Sequence, residues 1–414
     1  MSSTSRQYDL VLLGATGYTG KLAAEYVQEH VQTSLKWAIA GRNAKKLADI
    51  AQELKALNPD RIQPSIEVVE LNKASLDTIA QKTQVLVTTI GPYWKYGTPV
   101  VEACANSGTH YLDVTGETPW VYDMLQKHHL TFQKKGKIMI CQCGPESVPA
   151  DILSFLLVTH IRRTLNVGVR ECVNTIQKAT GAISGGTANT IATVVEAYPV
   201  SHMAKSMHPY ALCPISPPKG RRVGEGWLTK FLGVRSIPDL GILTDSPQRG
   251  QDTAIVYRSW ALFDKGEYYG QKFTFREWMR VNGYVVGMVV HFGFMAFLFL
   301  LLLSPMRWLL KKWAYEPGQG QTKEEFQNDR LVYKAIAKAD CEPEKRAVAT
   351  FEYTGGGYYL TGILVIEAAM TILKGSETPA TKMGGGLLTP ATLGEEYVER
   401  VRKAGVKIEV AMME

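Results

Sequence analysis

The first part of the chain alternates short apolar runs with stretches of helical periodicity. Ala44–Leu57, for example, places Leu47, Ile50 and Leu54 on one face at helical spacing. A regular alternation of strand and helix predicts a parallel, doubly wound sheet of the Rossmann type. The predicted strands are Tyr8–Leu13, Leu35–Ala40, Ile66–Leu71, Val85–Ile90, His110–Val114 and Ile138–Cys141.

From Val169 onward the pattern loosens, and strand-like runs are separated by long irregular connections. This change predicts a dinucleotide-binding domain over 1–165 and an α+β substrate domain, mostly antiparallel, over 166–414. Residues 208–226 and 316–328 are rich in Pro, Gly and polar residues, which is typical of loops. The strand-like runs of the second domain are Cys172–Ile176, Ala254–Phe263 and Ala347–Tyr353.

An apolar insertion at about 281–313 interrupts the second domain. Its first 26 residues, 281–306, contain no Asp, Glu, Lys or Arg, and Arg307, Lys311, Lys312, Trp308 and Trp313 follow. One apolar helix over Tyr284–Ser304 is predicted to insert from one side into a membrane or lipid-droplet surface. Both domains would then lie on the cytosolic face, at the endoplasmic reticulum or on a lipid droplet. The alternative is a helix buried in a homodimer interface.

Composition narrows the class of protein. The chain has 414 residues, enough for two or three domains, and a net charge of +7 that is spread along the sequence, so no nucleic-acid partner is predicted. Six cysteines without a CxxC pair indicate neither a disulfide framework nor a metal site. The short apolar run Leu10–Leu13 is too brief for a secretory signal.

A glycine loop directly after the first strand carries the strongest chemical signal. Glycines at positions 14, 17 and 20 permit a tight turn, close approach of the backbone to a pyrophosphate, and close packing of helix on strand. The alternative is a purely structural turn. The predicted cofactor-binding residues here are Gly14, Thr16, Gly17, Tyr18, Thr19 and Gly20, with Gly91 of a later strand-end loop.

The end of the second strand indicates which cofactor binds. NAD sites usually place a carboxylate there for the ribose 2′-hydroxyl, whereas this chain has Arg42 after Gly41. Arginine suits a 2′-phosphate, so NADPH is the predicted cofactor. The alternative is an arginine that only stacks on adenine.

Two polar clusters, 89–97 and 110–117, follow the fourth and fifth predicted strands. Ligands of open α/β sheets bind beyond the carboxyl ends of strands, so both clusters are expected near the nicotinamide. A phenol there could donate the proton that accompanies hydride transfer or bind a substrate carbonyl. The predicted catalytic residues are Tyr93, Tyr96 and Tyr111. The alternative is that Tyr111 and His110 are strand residues that make core hydrogen bonds, and that Asp113 or Glu117 caps a following helix.

Together these motifs resemble the saccharopine dehydrogenase-like oxidoreductases, and within them the branch of trans-acting enoyl reductases and lipid-droplet-associated animal homologues. The resemblance implies a Rossmann domain, an α+β substrate domain and NADP-dependent reduction, with the turns at 184–187 and 354–359 near the substrate. One departure is Gly144-Pro145-Glu146, where members commonly have glycine, phenylalanine and aspartate. The matching segments are GATGYTG at 14–20, AGR at 40–42, TIGPYWKYG at 89–97, VEACANSGTHYLDVTGE at 101–117, SVPAD at 147–151, SGGT at 184–187 and PGQG at 317–320.

Three functions fit the sequence. The first is a membrane-associated NADPH-dependent enoyl reductase, which reduces the C=C bond of a polyketide or fatty-acyl thioester, free or bound to a carrier protein, in secondary-metabolite or lipid biosynthesis. The second is a saccharopine-type C=N reductase or amino-acid dehydrogenase, whose small, highly charged substrates leave the apolar insertion unexplained. The third is a non-catalytic membrane or lipid-droplet scaffold that retains the nucleotide fold.

Overall fold

The computed structural model describes residues 6–181, 184–216, 226–313, 318–375 and 377–414. A seven-stranded parallel sheet forms its first half, with the strand order β13-β6-β5-β4-β1-β2-β3. This order confirms the predicted Rossmann-type sheet. Its strands are Tyr8–Leu13 (β1), Trp37–Gly41 (β2), Ser65–Val68 (β3), Thr83–Thr88 (β4), His110–Asp113 (β5), Ile138–Ile140 (β6) and, from the far end of the chain, Gly386–Leu388 (β13).

Helices cover both faces of this sheet because successive residues of its strands point to opposite sides. In β1, Leu10 and Leu12 join one hydrophobic cluster, whereas Val11 and Leu13 join the other. Both faces are therefore apolar, which explains the continuous apolar runs in the sequence. The helices of this half are Tyr18–His30 (α1), Ala44–Leu57 (α2), Lys73–Lys82 (α3), Tyr93–Ser107 (α4), Thr118–Lys134 (α5) and Val148–Leu165 (α6).

Among the described residues the second sheet also has seven strands, in the order β14-β12-β11-β7-β10-β9-β8, where β7 and β10 pair in parallel and the other neighbours pair antiparallel. The predicted mostly antiparallel sheet is thus confirmed. The prediction of a strand over Ala254–Phe263 is wrong, because this stretch belongs to a helix, Arg249–Leu262 (α10). The strands are Val169–Ala179 (β7), Val234–Ile237 (β8), Gly241–Thr244 (β9), Thr274–Arg280 (β10), Arg330–Ala339 (β11), Arg346–Thr354 (β12) and Lys407–Met412 (β14).

The end of the chain returns to the first sheet. Strand β13 pairs with β6, and the helix Gly357–Leu373 (α14) packs on α1. The predicted boundary between 165 and 166 stays a prediction, but each half is held together by elements from both sides of it. The remaining helices are Gly185–Ala197 (α7), Val200–Ser206 (α8), Trp227–Leu232 (α9), Tyr284–Leu300 (α11), Ser304–Trp313 (α12), Lys323–Phe326 (α13), Pro379–Lys382 (α15) and Gly394–Lys403 (α16).

The apolar insertion forms two helices, because the helix predicted over 284–304 ends at Leu300 and a second one follows. The chain turns after Leu300, and α12 begins at Ser304 and packs on α7, where Arg307 Nε donates to Glu196 Oε1 at 2.8 Å. One side of α11 is fixed to the second sheet, because Thr244 Oγ1 donates to Gly287 O at 2.9 Å. His291 Nδ1 also lies 2.5 Å from Asp245 Oδ2.

The expected membrane-associated location is also wrong. Helix α11 has 17 residues and is separated from α12 by the turn. Within the described parts of the chain, no helix combines the length and the apolar character that a membrane crossing requires.

Candidate active site

The glycine loop follows β1 and opens α1. Gly14 has a φ of +98°, which favours glycine, and a Cβ atom on Gly20 would lie 2.1 Å from Gly14 O. These two glycines are therefore required by the turn and by the packing of helix on strand. A Cβ atom on Gly17 would meet only Gly14 O, at 3.4 Å, so the outer side of the loop is open.

Helix α1 presents unpaired N–H groups to this open side. Its first helical hydrogen bond runs from Lys21 N to Gly17 O at 2.8 Å, so the N–H groups of residues 18–20 have no acceptor within the helix. Its first turn carries no acidic residue. Such a helix start attracts a phosphate.

Arg42 lies next to this loop. A Cβ atom on Gly41, the last residue of β2, would be 3.6 Å from Thr16 Oγ1, and Arg42 follows it. The guanidinium is exposed and makes no hydrogen bond or ion pair with a described residue. The loop and Arg42 thus fit the pyrophosphate and the 2′-phosphate of NADPH, although the individual contacts stay predictions.

The loop after β4 is held by one carboxylate. Glu117 accepts hydrogen bonds from the backbone N–H groups of Tyr93 and Trp94, both at 2.7 Å, and so caps the start of α4. Burial raises the pKa of Glu117 to about 7, although the two hydrogen bonds favour the carboxylate. This cap orients the segment that contains Gly91 and Tyr96.

The three predicted catalytic tyrosines lie in different environments. Tyr93 is buried, and its hydroxyl donates to Thr88 O at 3.1 Å. Tyr111 is wholly buried beside Asp113, and burial raises the pKa of both phenols. Tyr96 is half-buried on α4, with Lys95 Nζ 5.2 Å from its ring. The structure therefore does not bring the three phenols together at one accessible point.

Asp113 and His110 are structural in this geometry. Asp113 Oδ1 accepts hydrogen bonds from Thr115 N and Gln142 N, both at 3.0 Å, and so ties β5 to the loop after β6. Burial raises the pKa of Asp113 to about 6. His110 Nδ1 accepts a hydrogen bond from Ile138 N, and burial lowers the pKa of His110 to about 3, which keeps the ring neutral.

Helix α7 covers the carboxyl edge of the first sheet. A Cβ atom on Gly91 would be 3.7 Å from Thr190 Oγ1, and Trp94 Nε1 donates to Thr193 Oγ1 at 3.4 Å.

At the start of α7, Ser184 N donates to Tyr358 OH at 2.7 Å. The ring of Tyr358 in turn packs on Tyr18, with centroids 5.3 Å apart. The two turns at 184–187 and 354–359 thus meet above the glycine loop.

Sequence reasoning did not identify the threonines of α7 or a set of buried carboxyl groups contributed by α10 and β10. Thr190 and Thr193 belong to a helix with ordinary composition, and nothing local marks them. Asp252 lies just before the run Ala254–Phe263, for which the sequence predicts a strand. The one feature of the sequence that points to Asp252 and Glu277 is that each acidic residue lies close to apolar residues.

The fold and the glycine loop define a class. Residues 10–140 match the saccharopine dehydrogenase NADP binding domain, and this match makes the chain an NADP-dependent oxidoreductase. The open helix start after β1, the arginine after β2 and the carboxyl edge under α7 fit this class. NADPH is its cofactor, as predicted.

Full-length relatives identify the family. The chain is 30% identical over 436 residues to a Mycobacterium tuberculosis protein whose name assigns it provisionally to the trans-acting enoyl reductases, with 100% of both chains covered. It is 28% identical to a trans-acting enoyl reductase of Mycobacterium ulcerans, with 94% of this chain and 96% of the relative covered. The chain therefore belongs to the trans-acting enoyl reductase branch of the saccharopine dehydrogenase-like oxidoreductases.

A solved structure agrees with this fold. The apo saccharopine dehydrogenase (L-Glu forming) from Saccharomyces cerevisiae superposes with a TM-score of 0.58 at 11% identity, over 98% of this chain and 100% of that chain. At this identity the likeness concerns the fold alone.

Proposed function

We propose that this NADPH-dependent oxidoreductase reduces the C=C bond of a 2-enoyl thioester, with a polyketide or fatty-acyl chain that is free or attached to a carrier protein. The observation that carries the proposal is the composition of α7, the helix above the cofactor edge. It contains no Lys or Arg, and its threonines face Gly91 and Trp94. An uncharged acyl chain suits this cover, whereas a substrate with several carboxylates would require cations.

The position of Tyr96 suits a group that binds the thioester carbonyl. NADPH supplies a hydride, which the β-carbon of the substrate accepts. Negative charge then develops on the thioester oxygen, and a phenol that donates a hydrogen bond there stabilises the transition state. Tyr93 and Tyr111 are buried, so among the three predicted tyrosines Tyr96 is the best placed for this role.

Replacing Tyr96 by Phe tests this role. We expect turnover to fall about 10²-fold while the affinity for NADPH stays constant, because only the stabilisation of the developing charge is lost. Tyr93→Phe is the matched control, and we expect it to change stability more than turnover. Unchanged turnover in Tyr96→Phe would show that another group binds the carbonyl.

A panel of substrates separates the enoyl reductase from its alternatives. Purified protein is mixed with NADPH and a medium-chain or long-chain 2-enoyl pantetheine thioester, and, separately, with an amino acid and a keto acid that form an imine. We expect oxidation of NADPH with the thioester only. Oxidation with the imine mixture alone would support the C=N reductase, and no reaction with any acceptor despite NADPH binding would support the scaffold.

We also propose that the enzyme is a homodimer through α11. Ten large apolar residues of 284–303 are 44–68% exposed, and this segment contains no charged residue. Their exposed area is on the order of 1,000 Å², comparable with the ~800 Å² per partner that stable dimers bury. A stripe along the exposed side has the alternating spacing of four and three that suits packing against a second helix. It consists of Val285, Val289, Phe292, Ala296, Phe299 and Leu303.

Light scattering coupled to gel filtration tests the dimer. We expect the wild type to be dimeric at micromolar concentration and the double variant Phe292→Lys, Phe299→Lys to be monomeric, since two cations would be buried against two others. The control is Leu130→Lys on α5, where the side chain is also exposed. A monomeric wild type, or a double variant that stays dimeric, would contradict this proposal.

A further inference from the structure

Three carboxyl groups lie near enough to interact electrostatically where the two halves of the molecule join. Glu277 lies on β10, Asp252 in the first turn of α10, and Glu146 in the loop between β6 and α6. Asp252 and Glu277 are completely buried, whereas Glu146 is half-buried. No described Lys or Arg forms an ion pair with any of the three.

The hydrogen bonds indicate which of the two buried groups is ionised. Glu277 Oε1 accepts from Ser246 Oγ at 2.6 Å, and Glu277 Oε2 accepts from Asn174 Nδ2 at 3.1 Å. Asp252 lies beside Glu277, and neither carboxyl oxygen of Asp252 accepts a hydrogen bond from a described residue. Two buried carboxyl groups in contact cannot both be charged without a cation, so Glu277 is the carboxylate and Asp252 carries the proton.

Other polar groups connect this pair to the cleft. Ser147 lies close to Asp252, and Gln251 Nε2 donates to Ser147 Oγ at 2.6 Å. The oxygen of the same Gln251 side chain faces Gly116 of the loop after β5, at 3.3 Å from a Cβ placed there. Tyr333 of β11 donates to Pro145 O at 2.9 Å, directly before Glu146.

The topology puts Glu146 on the nicotinamide side of the cofactor site. Arg42 follows β2 and the glycine loop follows β1, and the strand order continues through β4 and β5 to β6. A cofactor with its 2′-phosphate at Arg42 would therefore extend toward β4, β5 and β6. Neighbouring strands are about 4.8 Å apart, so the end of β6 lies roughly 14 Å beyond the glycine loop, within reach of an extended dinucleotide and its substrate.

From this arrangement we infer that Glu146 is the acid that protonates the α-carbon of the substrate, and that Asp252 and Glu277 keep it protonated. This inference rests on the proposed function. After the β-carbon has accepted hydride, the electrons of the C=C bond form an enolate. The enolate reforms the thioester carbonyl as its α-carbon takes the proton from the Glu146 carboxyl. The Glu146 carboxylate is then protonated by Asp252, and Asp252 takes a proton from solvent.

The pH dependence of such a donor has a definite sign. Burial raises the pKa of Glu146 and of Asp252. Because the donor must be protonated, kcat falls as pH rises through the pKa of the cluster. The titratable groups that face it are Glu277 from β10 and Tyr333 from β11, whose phenol burial keeps neutral by raising its pKa, and nearby Arg249 at the start of α10 is paired with Asp245 at 3.1 Å. A negative charge on Glu277 disfavours ionisation of its neighbours and so moves this decline to higher pH.

Glu277→Gln removes that charge and leaves Glu146 in place. We expect the alkaline decline of kcat to move to lower pH by about one unit, whereas a merely structural loss would lower kcat at every pH. Glu146→Gln should lower kcat by ~10²–10⁴-fold with an unchanged Kd for NADPH. The control is Glu409→Gln on β14, an exposed carboxylate, which should resemble the wild type.

The outcomes separate this inference from the proposed function. If wild type does not reduce enoyl thioesters, the proposed function fails first. If wild type is active but Glu146→Gln retains its turnover, or Glu277→Gln keeps the wild-type pH profile, the carboxyl cluster is not the proton source. Should Glu277→Gln not fold, Asp252→Asn serves instead, because it removes the group that returns the proton to Glu146: kcat should fall with an unchanged Kd for NADPH, and an unchanged kcat would contradict the inference.

Discussion

The carboxyl cluster at the junction and the helix α11 place side chains in opposite environments. At the junction, Asp252 and Glu277 are removed from water in a region that would ordinarily be apolar. On α11, Val289 and Phe299 face water although such residues ordinarily lie in a core. Both arrangements cost free energy, so each indicates a role beyond folding.

The two regions differ in what offsets that cost. The junction is compensated within the chain, because Glu277 has two hydrogen-bond donors and Asp252 keeps its proton. The exposed side of α11 has no such compensation among the described residues, which is why we assign it to contact with a second copy. A buried polar group thus points to internal chemistry, and an uncovered apolar face to an external partner.

The largest effect is expected from truncating Glu277. Glu277→Ala leaves the Ser246 hydroxyl and the Asn174 amide without their acceptor in a buried region, and should lower the free energy of unfolding by about 2–4 kcal/mol. Chemical denaturation measures this loss, with Glu409→Ala as the exposed control. A loss below about 0.5 kcal/mol would mean that water already reaches the junction.

The cofactor site should be independent of both regions. Arg42→Ala is expected to weaken NADPH by ~1.5–3 kcal/mol, roughly ten- to a hundred-fold, through loss of a charge-assisted contact to the 2′-phosphate, with little change for NADH. Calorimetric titration with each cofactor measures the two affinities. Equal losses for NADPH and NADH would contradict the assigned role of Arg42.

Gly17→Val tests the loop itself. A Cβ atom at this position meets only Gly14 O at 3.4 Å, so the substitution should leave the fold intact while its side chain occupies the space of the pyrophosphate. We expect binding of both cofactors to be lost without a change in the thermal unfolding temperature of the free protein. If Gly17→Val still binds the cofactors, the pyrophosphate does not lie against this loop.

The smallest effect on the isolated subunit is expected at α11. Phe299→Ala should change the stability of the monomer by no more than about 0.5 kcal/mol, because the ring is 66% exposed. In the dimer the loss should depend on protein concentration, as it does for any interface residue. Thermal unfolding over a hundred-fold range of concentration distinguishes this from the Glu277→Ala loss, which should not vary.

Local sequence patterns predict the first sheet well and the junction poorly. The strands of the Rossmann half are buried on both faces, so continuous apolar runs such as Val85–Val87 mark them directly. The sequence predicts a strand in place of helix α10 because Ala254–Ala261 is buried on every side and so lacks the amphipathic period of a helix. The sequence predicts the roles of the glycine loop and of Arg42 because the residues that define each motif are consecutive in the chain.

The rest of the site depends on pairings between distant segments. Asp252 meets Glu277 and Ser147 only because α10 packs between β10 and the start of α6, and Thr190 meets Gly91 only because α7 crosses the carboxyl edge. The length of the apolar run in sequence predicts a single membrane-inserted helix, whereas the chain turns after Leu300 and forms a second helix that packs on α7.

The most direct test of the enoyl reductase is the stoichiometry of its reaction. The protein is incubated with a 2-enoyl pantetheine thioester and NADPH deuterated at the transferable position, and the product is examined by mass spectrometry and NMR. The account predicts a saturated thioester with one deuterium on the β-carbon and a solvent-derived hydrogen on the α-carbon, formed in equal amount to the NADPH consumed. Recovery of unreduced enoyl thioester, or of deuterium on the carbonyl carbon, would contradict it.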